Sequence, residues 1–185
     1  MKEEILKDFF ERHIKGTEEK AIVADQKMLL CRMTLAVSQT INIDQRMRSI
    51  YITTRCLKHL YDKKPAEEFL CLIDCLNKVA RYPDKVFWNK KSKRGDFCLV
   101  KNIKGQNYLC SIELIHIYPS SFGAIKLGSS TFGATKEVIE IHITTAFRIR
   151  DEKYLGKYTL LWSWGDGNPH RSALDTPKGS TNAPQ

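Results

Sequence analysis

The sequence has no apolar run of the roughly 18 residues that a membrane-spanning helix needs. Its first 15 residues, MKEEILKDFFERHIK, carry charges throughout and lack the uncharged centre of a signal peptide. We therefore expect no membrane insertion and a place in a cytoplasm. Acidic residues are in deficit, with 21 Asp and Glu against 30 Lys and Arg, a formal net charge of +9. This balance favours a polyanionic partner, nucleic acid or an anionic membrane surface; the alternative is a soluble protein that is merely basic.

The sequence also lacks a CxxC pair and a His/Cys cluster at metal-ligand spacing. Cys71 and Cys75 share a helical face and could hold a metal, but no further ligand flanks them, so packing in a core is the better interpretation. We predict no metal and no cofactor. A chain of 185 residues with 42% hydrophobic content is long enough to bury one ordinary core.

The first 44 residues are predicted to form a helical extension. Residues 2–15 have the spacing of an amphipathic helix, which Gly16 ends at a position where a left-handed cap is usual. Thr17 is a good N-cap for a second helix, predicted to run to about Ser38. We expect this extension to pack on the main domain or on a partner.

Residues 45–168 are predicted to form the main domain. A strand at 50–53 precedes a short helix with Thr54 as its cap, and a longer helix lies between Pro65 and Pro83. A short strand at 86–88 and a β-hairpin turning at Lys104-Gly105 come next. After them come a long strand at 137–148, a helical turn near 152–155 and an apolar stretch at 158–164. Residues 169–185 are polar and aperiodic, and we expect this tail to be poorly ordered.

The strand EVIEIHITTAFR alternates between two chemically different faces. Ile139, Ile141, Ile143 and Phe147 share one face, and the other face carries Glu140, His142, Thr144 and Arg148. A half-buried antiparallel sheet could offer that polar face to a ligand, although an ordinary solvated face has the same pattern.

Two basic segments accompany this strand. The helix at 54–62 presents Arg55, Lys58 and His59 within about one turn, and a histidine beside cations is suited to proton transfer near neutral pH. A basic turn that includes Lys91, with Trp88 beside it, could grip a phosphate backbone and stack a base. The alternatives are an ordinary, partly buried His59 and a solvated hairpin tip.

From about Ser49 to Trp164 the chain resembles the phage-associated branch of the barnase/EndoU/colicin/RelE nuclease superfamily. The resemblance rests on four pieces in order: ITTRCLKHL, ARYPDKVFWN, FCLVKNIKGQNYLCSIEL and ITTAFRIRDEKYL. It implies an α+β fold, with helices packed on one face of a four- to five-stranded antiparallel sheet and the active site on the other face.

The resemblance also implies the site. His59 matches the helix histidine, Thr145 the threonine of the TAF motif, and Tyr154 the aromatic hydroxyl that follows. Strict alternation, however, places Thr145 on the apolar side, so either a bulge re-aims the strand or Thr144 does this work. His142 is the second acid/base candidate. The candidates for binding substrate and phosphate, chosen from charge and position, are Arg55, Lys58, Trp88, Lys91 and Arg148.

Two functions follow as hypotheses. The first is a metal-independent endoribonuclease, a toxin or phage effector, in which the ribose 2′-OH attacks the adjacent phosphate. RNA, transfer RNA included, is its expected partner, and a cognate inhibitor protein is a second candidate. The other hypothesis is a non-catalytic module that binds nucleic acid or a host protein. Clustering of His59, His142 and Arg148 on one face would favour catalysis, and scattering would favour binding.

Overall fold

A computed structural model describes residues 2–90, 95–117 and 138–164. They form a mixed α/β structure around one seven-stranded sheet. The helices are α1 (Lys2–His13), α2 (Leu35–Thr40), α3 (Thr54–Lys63) and α4 (Ala66–Arg81), with 3₁₀ helices at Gln45–Met47 and Glu152–Lys157. The strands are β1 (Lys27–Arg32), β2 (Ser49–Thr53), β3 (Lys85–Trp88), β4 (Phe97–Ile103), β5 (Gln106–Ile117), β6 (Val138–Ile149) and β7 (Thr159–Ser163).

The strand order is β1-β2-β6-β5-β4-β3-β7, so β6 and β5 lie near the centre. Every neighbouring pair is antiparallel except β2 and β6, which run parallel through Ile50–Ile141 and Tyr51–His142. The expected sheet of four to five antiparallel strands is therefore wrong in strand number and in that one pairing. The two strands beyond those predicted are β1, which the N-terminal part of the chain adds beside β2, and β7 at the far edge.

The main core lies between one face of the sheet and the four α-helices. Leu6 and Phe10 of α1 and Ile14, which directly follows it, are buried in this core together with residues of α3, α4 and the sheet. The predicted boundary between residues 44 and 45 thus falls within one continuous core. Because α1 packs on α4 and β1 pairs with β2, the first 44 residues are built into the same sheet and helix layer as the rest.

The predicted helix from Thr17 to Ser38 is wrong. Residues 27–32 form β1, which pairs antiparallel with β2, and Ile22, inside the predicted helix, is fully exposed. The segment KMLLCR is apolar enough for either element, and sheet pairing decided between them. The first helix and its left-handed cap at Gly16, with φ of +80°, are confirmed.

The rest of the predicted element order is confirmed with small shifts. Thr53, not Thr54, is the N-cap of α3, and its side chain accepts a hydrogen bond from the Cys56 amide. The hairpin turn at Lys104 and Gly105 has φ of +52° and +79°, as a tight two-residue turn between twisted strands requires. The predicted polar tail, residues 169–185, lies outside the described residues.

The other face of the sheet, here called the outer face, has a second, smaller core. Phe87, Cys98, Val100 and Leu109 are buried there. The 3₁₀ helix Glu152–Lys157, here called the cap helix, covers them through Leu155 and the adjoining Tyr158. A protected apolar patch therefore borders the polar part of the outer face.

All six cysteines are free thiols, and all are buried except Cys71, which is exposed. Within the described residues, no helix is long and apolar enough to cross a membrane.

Candidate functional site

A β-bulge in β6 determines which side chains reach the outer face. Ile143 pairs with Ile112 and Thr145 with Ser111, so Thr144 is an extra residue between two ladder positions. Ile143 and Ala146 are both buried in the main core. Thr145 shares the outer face with its partner Ser111. Thr144 also lies there, beside Ser111. The bulge therefore turns both threonines toward the outer face, whereas strict alternation would place only Thr144 there.

The centre of the polar region is a hydrogen-bonded pair on β6. His142 Nε2 lies 2.8 Å from Glu140 Oε2, and the two side chains are only 15% and 17% exposed. Lys27 of β1 reaches the same carboxylate, with Nζ at 2.6 Å from Oε1 and 2.7 Å from Oε2. Tyr51 of β2 packs between these groups, its ring 5.8 Å from the imidazole and 5.2 Å from Lys27 Nζ. Glu140 therefore holds His142 in a fixed orientation, as carboxylates do in acid/base sites.

The electrostatics of Glu140 follow from this arrangement. Burial raises the pKa of its carboxyl, but hydrogen bonds from Lys27 and His142 outweigh burial and hold the pKa below its ordinary value. The carboxylate is thus charged near neutral pH, and it is shared between a permanent cation and an imidazole. An anion next to His142 stabilises the imidazolium that would form when the ring accepts a proton.

Ser111, Thr144 and Gly95 meet next to this pair. The Ser111 hydroxyl is buried beside the weakly hydrogen-bonding Cys98 thiol and has no oxygen or nitrogen partner among the described residues. Thr144 Oγ1 donates to the Ser111 carbonyl at 3.3 Å. A Cβ on Gly95 would lie 2.1 Å from Ser111 Oγ and 3.0 Å from Thr144 Oγ1. Position 95 must therefore be glycine, because only a residue without a Cβ lets the backbone lie this close to Ser111 and Thr144.

Tyr154 lies on the outer face at the cap helix. Its ring stands edge-on to Phe147 at 5.3 Å, and Lys157 Nζ lies 3.5 Å from its centroid. Its hydroxyl accepts a hydrogen bond of 3.3 Å from Tyr158. Burial, with the Tyr154 contact, raises the pKa of the Tyr158 phenol well above its ordinary value. The Tyr158 phenol is therefore a neutral hydrogen-bonding group at neutral pH. Phe147 shares this face, contrary to the alternation that grouped it with Ile143.

The three residues predicted on α3 do not join the pair on β6. Arg55 and His59 lie on the exposed side of α3, whose opposite side gives Leu57 and Leu60 to the main core. Lys58 is only 5% exposed, is hydrogen-bonded to Asp62, and donates to the Glu18 carbonyl at 2.7 Å. Lys58 thus holds the 17–26 segment on α3, and its ammonium group is engaged within the protein.

Arg148 lies on the helix-covered side of the sheet. It pairs with Tyr108, a residue of the main core, and donates to Gln106 Oε1 at 3.2 Å. Because the bulge reverses the alternation, Arg148 and His142 lie on opposite faces. The grouping of Arg148 with His142 that strict alternation predicted is wrong.

The remaining two candidates are Trp88 and Lys91. Trp88 is 39% exposed at the end of β3, and Lys90 Nζ lies 4.5 Å from its ring. Lys91 lies outside the described residues. His59, His142 and Arg148 are therefore scattered, whereas His142, Thr144, Thr145 and Tyr154 share the outer face.

Several residues of this site were not among the sequence candidates. Glu140 was visible as a polar residue two positions before His142, a spacing that puts both side chains on one face of a strand. Lys27 could not be found, because its segment was predicted as helix. Tyr51 required knowledge of the parallel pairing of β2 with β6. The positions of Ser111 and Gly95 beside Thr144 could not be predicted without knowing where the bulge lies.

In the described parts of the chain, no three metal-ligating side chains come together. The chain matches no protein-family model, no curated protein and no solved structure at a significant level.

Proposed function

We propose that the protein is a metal-independent endoribonuclease whose acid/base centre is the His142–Glu140 pair on the outer face. The observation that carries the proposal is the 2.8 Å contact between His142 Nε2 and Glu140 Oε2, with Lys27 on the same carboxylate. An oriented, largely buried imidazole next to an anion has the arrangement of a general base. The resemblance to the barnase/EndoU/colicin/RelE superfamily, and the formal charge of +9, support RNA as the substrate.

The proposed reaction uses the ribose 2′-OH as nucleophile. His142 takes its proton, the 2′-oxygen attacks the adjacent phosphorus, and the bond from phosphorus to the 5′-oxygen breaks. Tyr51, beside the imidazole, supplies a proton to the departing 5′-oxygen, and the product is a 2′,3′-cyclic phosphate. Glu140 stabilises the imidazolium that His142 becomes.

The phosphate is held by the groups around this pair. The Thr144 and Thr145 hydroxyls orient it by hydrogen bonds, and the basic turn before Gly95, with Lys91, supplies positive charge for the transition state. Tyr154 contacts the substrate at the cap helix. His59 and Arg55, exposed on α3, are assigned to binding of the RNA backbone. Lys58 and Arg148 are left out, because both are engaged elsewhere in the fold.

The test is cleavage of total RNA and of a defined single-stranded RNA in the presence of a chelator. We expect discrete cuts that end in cyclic phosphate. His142→Ala should lower the rate by roughly two to four powers of ten. His59→Ala should lower it by less than about tenfold, because a contact to the RNA backbone contributes to binding and not to proton transfer.

His13→Ala is the matched control, since it removes a histidine from α1, remote from the outer face. Its rate should equal that of the parent. Chelator-sensitive cutting would overturn the metal-free mechanism. Equal rates for His142→Ala and the parent would overturn the assignment of the base, and a large loss in His59→Ala alone would restore the residue that the resemblance implies.

A second candidate, a non-catalytic module that binds RNA or a host protein, is favoured by the scattering of His59, His142 and Arg148. It predicts tight binding to RNA, or to a partner, without any cut product. Parent protein that binds the defined RNA but releases no cyclic phosphate over long incubation would establish this candidate in place of the nuclease.

A further inference from the structure

A second recess lies on the outer face, between the cap helix and the strands β3, β4 and β7. It has a volume of about 620 Å³. Its floor is apolar and aromatic: Phe87 and Val100 are buried there, and Leu155 and Tyr158 form a wall. We refer to it as the cap cleft. Its size is that of sites that take a small planar ligand.

The rim of the cap cleft is a hydrogen-bonded chain of amide and carboxylate side chains. Asn102 Nδ2 donates to Asn107 Oδ1 at 2.9 Å, and Asn107 Nδ2 donates to Glu152 Oε1 at 3.2 Å. On the other side, Asp84 accepts from Lys101 Nζ at 2.9 Å and from the Asn102 amide at 2.7 Å. Each carboxylate has about four acceptor positions, so Asp84 and Glu152 keep unused acceptor capacity after these bonds.

This chemistry selects a ligand. A planar ring fits an apolar floor with an aromatic wall. Carboxylates at the rim favour a ring with an exocyclic amino group, which offers two N–H donors, over a ring whose single N–H lies between two carbonyl acceptors. The exposed Lys85 at the same rim suits a phosphate attached to such a ring. The combination of a ring, an amino group and a phosphate describes an unpaired nucleotide.

We propose that the cap cleft is a base-recognition subsite that binds an unpaired nucleobase bearing an exocyclic amino group, adenine, cytosine or guanine, in preference to uracil. The inference rests on the proposed function, since it takes single-stranded RNA as the substrate. It adds a specificity element that the acid/base pair does not provide.

The subsite and the acid/base pair are separate on the same face. Along β5, Glu113 lies opposite His142, and Asn107 lies at the cap cleft. The six residue steps from Asn107 to Glu113 span roughly 20 Å at the usual rise of a strand. The recognised base is therefore several nucleotides away from the phosphate that is cut, and a substrate must have an unpaired stretch long enough to reach both.

The test measures binding in the absence of cleavage. Hexanucleotides of adenosine, cytidine or uridine carry 2′-O-methyl groups, which remove the attacking hydroxyl, and a fluorescent label reports affinity by anisotropy. For the parent chain we expect the adenosine and cytidine oligomers to bind about tenfold more tightly than the uridine oligomer, the effect of one hydrogen bond to a charged group.

Gly156 offers a way to fill the cleft without disturbing its walls. It lines the recess, and a Cβ added there meets no atom within 4 Å. Gly156→Leu should reduce binding of the adenosine and cytidine oligomers to the level of the uridine oligomer, whereas Gly156→Ala, the matched control, should stay within about twofold of the parent. Glu152→Gln should abolish the preference for amino-bearing bases and leave uridine binding unchanged. A thermal melt of each variant reports whether it is folded.

Equal affinity of the parent for all three oligomers would overturn the subsite. So would a folded Gly156→Leu and a folded Glu152→Gln that both keep the parent's preference. These results do not depend on catalysis: a protein that cuts RNA without base preference loses only the subsite, and a protein that shows the preference but never cuts RNA loses only the nuclease.

Discussion

The two faces of the sheet differ in what covers them. The helix-covered face is closed by four α-helices over a continuous apolar core that includes Leu57, Leu99 and Ile141. On the outer face, four buried side chains lie beneath one short 3₁₀ helix, and the polar pair His142–Glu140 lies beside them. One face therefore supplies stability, and the other exposes groups that can do chemistry.

The difference explains why the polar residues of the outer face can be partly buried and yet accessible. Glu140 and His142 are shielded by their neighbours on β1, β2 and β5, not by a helix layer. Their mutual hydrogen bond and the Lys27 contact replace the water that they lose. A ligand approaching this face meets side chains that are already oriented.

Two leucines on opposite faces of the hairpin test the comparison most strongly. Leu99 is fully buried in the main core, and Leu109 is 1% exposed in the small core. We expect Leu99→Ala to lower the free energy of unfolding by about 3–5 kcal/mol. Leu109→Ala should cost about 2–3 kcal/mol, because the short cap helix can move to fill part of the cavity. Chemical denaturation measures both; a larger loss for Leu109→Ala would contradict the division of roles.

A glycine pair tests how tightly the outer face is packed. Gly16 and Gly95 have φ of +80° and +82°, but only Gly95 has neighbours within 4 Å of an added Cβ. Gly16→Ala should cost about 1 kcal/mol from backbone strain alone, and Gly95→Ala about 2–3 kcal/mol, because its methyl group meets Ser111.

Ser111→Ala supplies the control for this pair. It removes the hydroxyl that the new methyl group would meet, so it should recover part of the loss in Gly95→Ala. By itself it should be nearly neutral, because the hydroxyl has no strong partner to lose. Equal losses for Gly16→Ala and Gly95→Ala would show that the approach of Gly95 to the sheet is looser than described.

The smallest expected effect concerns pH. The pKa of Glu140 is held below its ordinary value of 4.5. The carboxylate therefore contributes stability above that pH, and the contribution is lost as pH falls through the lowered pKa. Since Lys27 is 48% exposed, we expect less than about 1 kcal/mol. Glu140→Gln should flatten the fall of stability between about pH 6 and pH 3 by this amount; an unchanged slope would contradict the ion pair.

Much of the fold could be predicted from local pattern. The hairpin at Lys104-Gly105, the helix between Pro65 and Pro83 and the cap at Gly16 all follow from turn residues and periodicity, because each is determined by its own segment. By contrast, β1 depends on its pairing with β2, and the sequence KMLLCR alone does not distinguish a strand from a buried helix.

The site could be predicted only in part, for the same physical reason. His142 and Thr144 were found because the alternation of β6 holds from Glu140 to Ile143. Beyond that point the bulge reverses the pattern, so Phe147 and Arg148 were assigned to the wrong faces. An extra residue between two ladder pairs leaves no local mark in composition. Lys27 reaches Glu140 from 113 residues away, and only the assembled sheet brings them together.

The parallel pairing of β2 with β6 has a consequence for the order in which the protein forms during synthesis. The β1–β2 pair is synthesised before β6, but it joins the rest of the sheet only through Ile141 and His142 of β6. Until those residues have been made, this ribbon can rest on α1 and α3 but has no sheet to extend. The groups around His142 therefore come together only after β6 has been made, so a growing chain that has reached only β5 carries an incomplete candidate site.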